Sequence, residues 1–120
     1  MAQLVGQIVS EDEAFHKQIG RLLRTGAVPV SVVDERALRE GLPPDIAIVD
    51  VRADAASALA AIERLRAGAP GAGIFAVALS ADPDIILQAM RAGANEFFIW
   101  PPAEETFSGA VRKEIGRAHV

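Results

Sequence analysis

Pro44-Asp45-Ile46-Ala47-Ile48-Val49-Asp50 constrains the fold of this chain more than any other stretch. Pro43 and Pro44 come first, then four apolar residues without a break, three of them β-branched, and an acid closes the run. A strand with one face in water would alternate apolar and polar residues. A run apolar throughout reads instead as a strand covered on both faces, the situation of a central strand in a parallel sheet. Asp50 then stands at the carboxyl end of that strand, the edge at which open α/β sheets place ligands where strand order reverses. Asp50 is therefore expected to face a cleft.

The segments around it alternate in type. Leu4 to Val9 is rich in β-formers and passes at Ser10-Glu11-Asp12-Glu13 into a stretch with Phe15, Ile19, Leu22 and Leu23 at helical spacing. Gly26 suits a left-handed C-terminal cap. Val28 to Val33 reads as a second strand, and Pro29 within it argues for a sheet edge. Asp34 can cap a short helix over residues 35–40, stopped by Gly41 and the two prolines. Beyond Asp50 an alanine-rich helix over 55–67 carries Leu59, Ile62 and Leu65 and stops at Gly68 and Pro70. Ile74 to Leu79 is a second two-sided strand and delivers Ser80 to its carboxyl end. Asp82-Pro83-Asp84 opens a helix that runs through Met90 to Gly93. Phe97-Phe98-Ile99-Trp100 is the fifth strand, ended by Pro101-Pro102, and a helix over 104–117 places acids first and Arg112, Lys113 and Arg117 last.

Five strands alternating with five helices make a (βα)5 flavodoxin-like α/β fold. Right-handed crossovers require a five-stranded parallel sheet with helices on both faces, and the edge-like second strand suits the order 2-1-3-4-5. The switch point falls between strands 1 and 3. It gathers Glu11, Asp12 and Asp50 in one cleft, with Ser80 and Trp100 arriving from strands 4 and 5.

Composition narrows what such a cleft serves. The 120 residues suit one domain over 1–120 with a single core. With 12 Lys and Arg against 16 Asp and Glu, the net charge of -4 offers no footprint for nucleic acid or an anionic membrane. Cys is absent, which excludes disulfides, thiolate catalysis and Cys-ligated zinc. No run approaches the ~18 apolar residues of a membrane span, so a cytoplasmic domain not inserted in a membrane is expected. Nothing in the chain reads as an enzyme. The converging carboxylates repel one another, and the usual relief is a hard divalent cation, Mg2+ being the natural candidate. A metal-neutralised aspartate can act as a nucleophile toward phosphorus, with a hydroxyl such as that of Ser80 donating to a phosphoryl oxygen. The plainer reading of Glu11 and Asp12 is that of solvated helix-capping acids.

The chain as a whole resembles a response-regulator receiver domain. Glu11-Asp12 is similar to the family's acidic pair, Asp50 to its phospho-acceptor, Ser80 to its switch hydroxyl and Phe97 to its switch aromatic. Met90-Arg91-Ala92-Gly93-Ala94 is similar to the end of its fourth helix. The resemblance implies a metal site at Glu11, Asp12 and Asp50, with Arg52 at the position whose backbone carbonyl completes it. Departures are equally plain. Trp100-Pro101 replaces the family's Lys-Pro, and the only lysines are Lys17 and Lys113 in helices. Ala53-Asp54 replaces Met-Pro after the acceptor. Loss of that lysine removes the ammonium that pairs with a phosphorylated aspartate. The stretch 89–98, followed by an aromatic residue and Pro, is most similar to the atypical receiver of CpaE/TadZ-type pilus assembly proteins. There it implies a localisation or self-association module preceding a ParA/MinD-like ATPase, which here would lie beyond Val120.

Three functions remain open: a non-switching receiver-like module that docks or dimerises, a phosphorylatable regulator using Asp50 with Mg2+, and an unrelated small-molecule binder of flavodoxin type. The third is disfavoured, because Ser10-Glu11-Asp12-Glu13 would repel a phosphate. Four expectations follow. Arg52 can fold over the carboxylates as a substitute cation. Crowded carboxylates store repulsion, so Asp50→Asn should leave stability unchanged or raise it. A homodimer should form through the fourth helix, fifth strand and fifth helix, with Ile86 and Met90 in contact and Trp100 as anchor, unless Trp100 merely caps the core. His16 and His119 read as solvated or packing side chains, and Arg64, Arg66 and Arg91 as solvated helix faces rather than a docking patch.

Overall fold

Five parallel strands, β1 (Val5–Val9), β2 (Ser31–Val32), β3 (Ile46–Asp50), β4 (Gly73–Ala78) and β5 (Glu96–Ile99), lie in the order β2-β1-β3-β4-β5. Among the described residues four helices connect them: α1 (Glu13–Thr25), α2 (Ala55–Gly68), α3 (Pro83–Ala92) and α4 (Glu104–Ala118). The computed structural model describes residues 4–33 and 43–118. The helix expected over 35–40, its cap Asp34 and His119 lie outside them.

Strand alternation divides the core into two unlike layers. Ile46 and Ile48 of β3 share a face with Phe75 and Val77 of β4 and Phe98 of β5, and α1 and α4 cover it with Phe15, Ile19, Leu23, Phe107 and Val111. Phe75, Phe98 and Phe107 meet there with ring centroids 5.4 to 5.6 Å apart. The opposite face carries Ala47, Val49, Ile74, Ala76 and Ala78, and α2 and α3 close over it with Ala58, Ala61, Ile62 and Ala89. The alanine-rich stretch of the sequence thus makes a thin layer, and the aromatic residues make a thick one. All six residues of β4 are buried, as its unbroken apolar run requires.

Three local expectations are corrected. Gly26 is not left-handed: it has φ -70° and ψ 172°. Glycine serves close approach instead, since a Cβ there would stand 3.2 Å from the Leu22 carbonyl oxygen and 3.3 Å from Ser108 Oγ. The second strand is only Ser31–Val32, because Pro29 has no N–H and the N–H of Val30 turns back to the Leu23 carbonyl at 2.9 Å. Arg66 is not a solvated side chain. Its guanidinium donates to the carbonyls of Pro70 (2.9 Å), Ala72 (2.8 Å) and Gly93 (2.7 Å) and to Asn95 Oδ1 (2.7 Å). Asn95 Oδ1 also accepts from the Ile74 N–H at 2.7 Å, so one arginine ties α2 to the loop before β4, the end of α3 and the start of β5. Gly93, with φ 129°, takes the left-handed turn that ends α3.

Candidate functional site

Ser10, Asp12, Asp50, Arg52 and Trp100 meet at the carboxyl edge of the sheet, and each arrives for a local reason. Asp12 is the N-cap of α1, its Oδ1 accepting the N–H groups of Ala14 (2.8 Å) and Phe15 (3.4 Å). Ser10 leaves the end of β1, and its Oγ accepts from the Asp12 N–H at 3.1 Å. Asp50 is the last residue of β3. Two residues on, the chain has turned enough for the Arg52 N–H to reach back to Asp50 Oδ1 at 3.0 Å. The Arg52 side chain follows the same path. Its Nε donates to Asp50 Oδ1 at 2.8 Å, and its Nη2 donates to Asp50 Oδ2 at 2.9 Å and to Asp12 Oδ2 at 2.8 Å. Ser10 Oγ donates the remaining bond to Asp50 Oδ2 at 2.6 Å.

Two aromatic rings cover the guanidinium. The Arg52 Cζ lies 4.5 Å from the centroid of Trp100 and 4.9 Å from that of Phe15, and the two rings stack on each other at 5.0 Å and 21°. A delocalised cation this close to aromatic rings gains electrostatic attraction that water would otherwise weaken. The Arg52 side chain is 14 % exposed and that of Asp50 8 %, so the pair is close to dry; Asp12, at 45 %, faces solvent.

Protonation follows this geometry. Burial pushes the Asp50 carboxyl up, but the hydrogen bonds from Arg52 and Ser10 outweigh it and hold the group below the usual carboxylate range. The Arg52 hydrogen bond is the main reason that Asp12 is also lowered. Arg52 moves the other way, raised chiefly by its bond to Asp50 against the opposing effect of burial. The expectation of stored carboxylate repulsion at Asp50 is overturned here: both oxygens are satisfied by a cation and a hydroxyl.

The other expected site residues are placed differently. Glu11 is exposed and makes no hydrogen bond to this cluster. It lines a neighbouring cleft of about 790 Å3 that also touches Ser10, His16, Asp50, Asp54 and Ser57. Among the described residues no three His, Cys, Asp or Glu side chains are placed to hold a metal ion. The arrangement does not fit Mg2+, because a tethered cation lies between the two carboxylates that would bind it and Glu11 does not converge on them. Ser80 is exposed past the end of β4 and is not bonded to Asp50. Phe97 packs half-buried against the alanine-rich layer, on the face of the sheet away from Trp100. Trp100, expected as an association anchor, is half-buried, and its ring is engaged within the domain by Phe15 and Arg52. Among the described residues the large apolar side chains left exposed are Leu79 (65 %) after β4, Leu87 (49 %) and Met90 (40 %) on α3 and Ile99 (48 %) on β5, with Ile86 half-buried. His16 is exposed and its Nε2 donates to the Ser10 carbonyl at 2.6 Å. Phe15 and Ser10 are the members of the cluster that sequence reasoning missed: the helical spacing of Phe15 marks it only as core, and Ser10 reads only as the end of a strand.

No protein-family model matches the chain, and no curated protein matches it. Solved structures do. A response regulator from Thermotoga maritima superposes with a TM-score of 0.81 at 20 % identity, over 96 % of this chain and 99 % of that one. A pilus assembly-related protein from Burkholderia pseudomallei gives 0.80 at 27 % identity, over 96 % and 91 %. A pilus assembly protein, CpaE, from Burkholderia thailandensis gives 0.79 at 27 % identity, over 95 % and 99 %.

Proposed function

We propose that this domain, which has the fold of response-regulator receivers and CpaE-like neighbours, is a receiver-like module without the phosphorylation switch, used for docking or self-association in pilus assembly. The observation that carries this reading is Arg52. It lies between the Asp50 and Asp12 carboxylates, and with Ser10 it occupies both oxygens of Asp50. A phosphoryl donor would have to break a bidentate, largely buried ion pair before any bond to Asp50 could form. Trp100 replaces the lysine of the family's Lys-Pro, and its ring offers no charge to a phosphorylated aspartate. The likeness to the two Burkholderia proteins supports the pilus-assembly context; a cytoplasmic, non-catalytic regulatory role preceding a ParA/MinD-like ATPase is proposed on the sequence resemblance alone. No helix among the described residues is long and apolar enough to cross a membrane.

The test is to add Mg2+ and beryllofluoride to the wild-type domain and record amide NMR spectra. Unchanged spectra, or shifts confined to residues beside Asp50, are expected. Shifts spreading into α3 and β5 would support the opposite reading, a phosphorylatable receiver using Asp50 with Mg2+.

Self-association is proposed through α3, β5 and α4. Leu87 and Met90, three residues apart on one helix face, and Ile99 at the end of an edge strand present exposed apolar surface there. Ile86 is expected at the margin, while Trp100 packs on the other face of the sheet against Phe15 and is not the anchor of this surface. Sedimentation equilibrium at high micromolar concentration should show a dimer for the wild type and a monomer for Met90→Glu. A monomeric wild type refutes this arrangement.

A further inference from the structure

We infer that the space filled by the Arg52 side chain is a guanidinium-selective pocket, with Arg52 as its resident ligand, and not a general cation site that happens to hold an arginine. The inference deepens the reading that Arg52, and no metal, holds the site. Its floor is the Asp50 carboxylate, which takes two donors of one plane, Nε at 2.8 Å and Nη2 at 2.9 Å. Its side is Asp12 Oδ2, 2.8 Å from the same Nη2. Trp100 and Phe15 cover the group with rings at 4.5 and 4.9 Å. The fork to Asp50 and the ring contacts use properties of a planar, delocalised cation, a pair of in-plane donors and a polarizable face, while the Asp12 bond adds charge.

Competing cations fail on different walls. An alkylammonium is a point charge with donors splayed tetrahedrally, so it cannot meet both Asp50 oxygens in one plane while lying flat on a ring. Mg2+ needs six oxygen ligands at about 2.0 to 2.1 Å and sheds water reluctantly. Here the aromatic rings supply none, and Asp12 Oδ1 is held by the N–H groups of Ala14 and Phe15. The chemical class that the pocket takes is therefore a guanidinium, whether on this chain or free.

The experiment empties the pocket and offers it three cations. Arg52→Ala is titrated at constant ionic strength with guanidinium chloride, methylammonium chloride and magnesium chloride, all at millimolar concentrations, far below the molar range in which guanidinium denatures. Trp100, the only tryptophan in the chain, reports occupancy by fluorescence, and melting temperature reports binding. Guanidinium alone should give a saturable change in emission and raise the melting temperature by roughly 6 °C at ten times half-saturation. The wild type should give neither response. An equal response to methylammonium or Mg2+, or a guanidinium response without saturation, overturns the inference. If Arg52→Ala does not fold, Arg52→Lys decides: it should melt well below the wild type or fail to fold as well, and a lysine variant as stable as wild type overturns the inference. The outcome is separable from that of the phosphoryl-analogue experiment, which reads the wild type with its arginine in place.

Discussion

Replacing Arg52 with Ala is expected to cost about 2 to 4 kcal/mol of folding stability. Removing one partner of a buried ion pair typically costs about 3 to 5 kcal/mol, because the other charge is left behind without water. Asp50 would be that charge, on a side chain 8 % exposed. The lower end of the range applies because Ser10 Oγ and the backbone N–H of residue 52 remain to hold it. Loss of the stack on Trp100 and Phe15 adds to the damage through both cation attraction and packing of the arginine stem. Against a total of about 5 to 15 kcal/mol for a domain, the loss is large and easily read from urea denaturation. A change below about 0.5 kcal/mol, the usual scatter of surface substitutions, would mean that the cluster contributes little to the fold.

Asp50→Asn is the second large effect, and its sign is opposite to the one read from sequence. An amide can still accept from Arg52 with its oxygen, but its NH2 would confront Arg52 Nη2, donor against donor, where Asp50 Oδ2 now accepts. A loss of about 1 to 3 kcal/mol follows near neutral pH, as for a hydrogen bond to a charged group. Acid should shrink that difference. The folded-state pKa of Asp50 lies below its ordinary value of 3.8. Its stabilising contribution is therefore complete above that value and is lost as pH falls through the lower, folded-state pKa. Urea titrations near neutrality and at about pH 3 should show wild type and variant converging in acid. A gap that widens in acid, or an asparagine variant as stable as wild type at neutral pH, would contradict the pairing described here.

The sheet was legible because its order depends on which strands are buried on both sides, and Ile46 to Val49 and Ile74 to Ala78 declare that in every residue. The cluster was legible only as an address. Position after a strand tells which edge of the sheet a side chain reaches, and so Asp12, Asp50, Arg52 and Trp100 were all expected there. It does not tell which way the side chain turns, and so Glu11 and Ser80, with the same address, stay out in solvent. Phe15 was hidden because a helical apolar residue at the right spacing looks like any other core position. Arg66 was hidden for the converse reason: its acceptors are mostly backbone carbonyls, which no residue type announces. Gly26 was misjudged because a glycine after a helix serves close contact as well as a left-handed turn.

The Arg66 bonds bear on how the domain can move. They fix the C-terminal end of α3 to α2 and to the first residues of β4 and β5. The opposite end of that helix begins at an exposed cap, Asp82, after the exposed run Leu79-Ser80-Ala81. A rod pinned at one end and loose at the other pivots. The amide hydrogens of the first turn of α3 are therefore expected to exchange with solvent faster than those near Gly93, which hydrogen-exchange measurements can read.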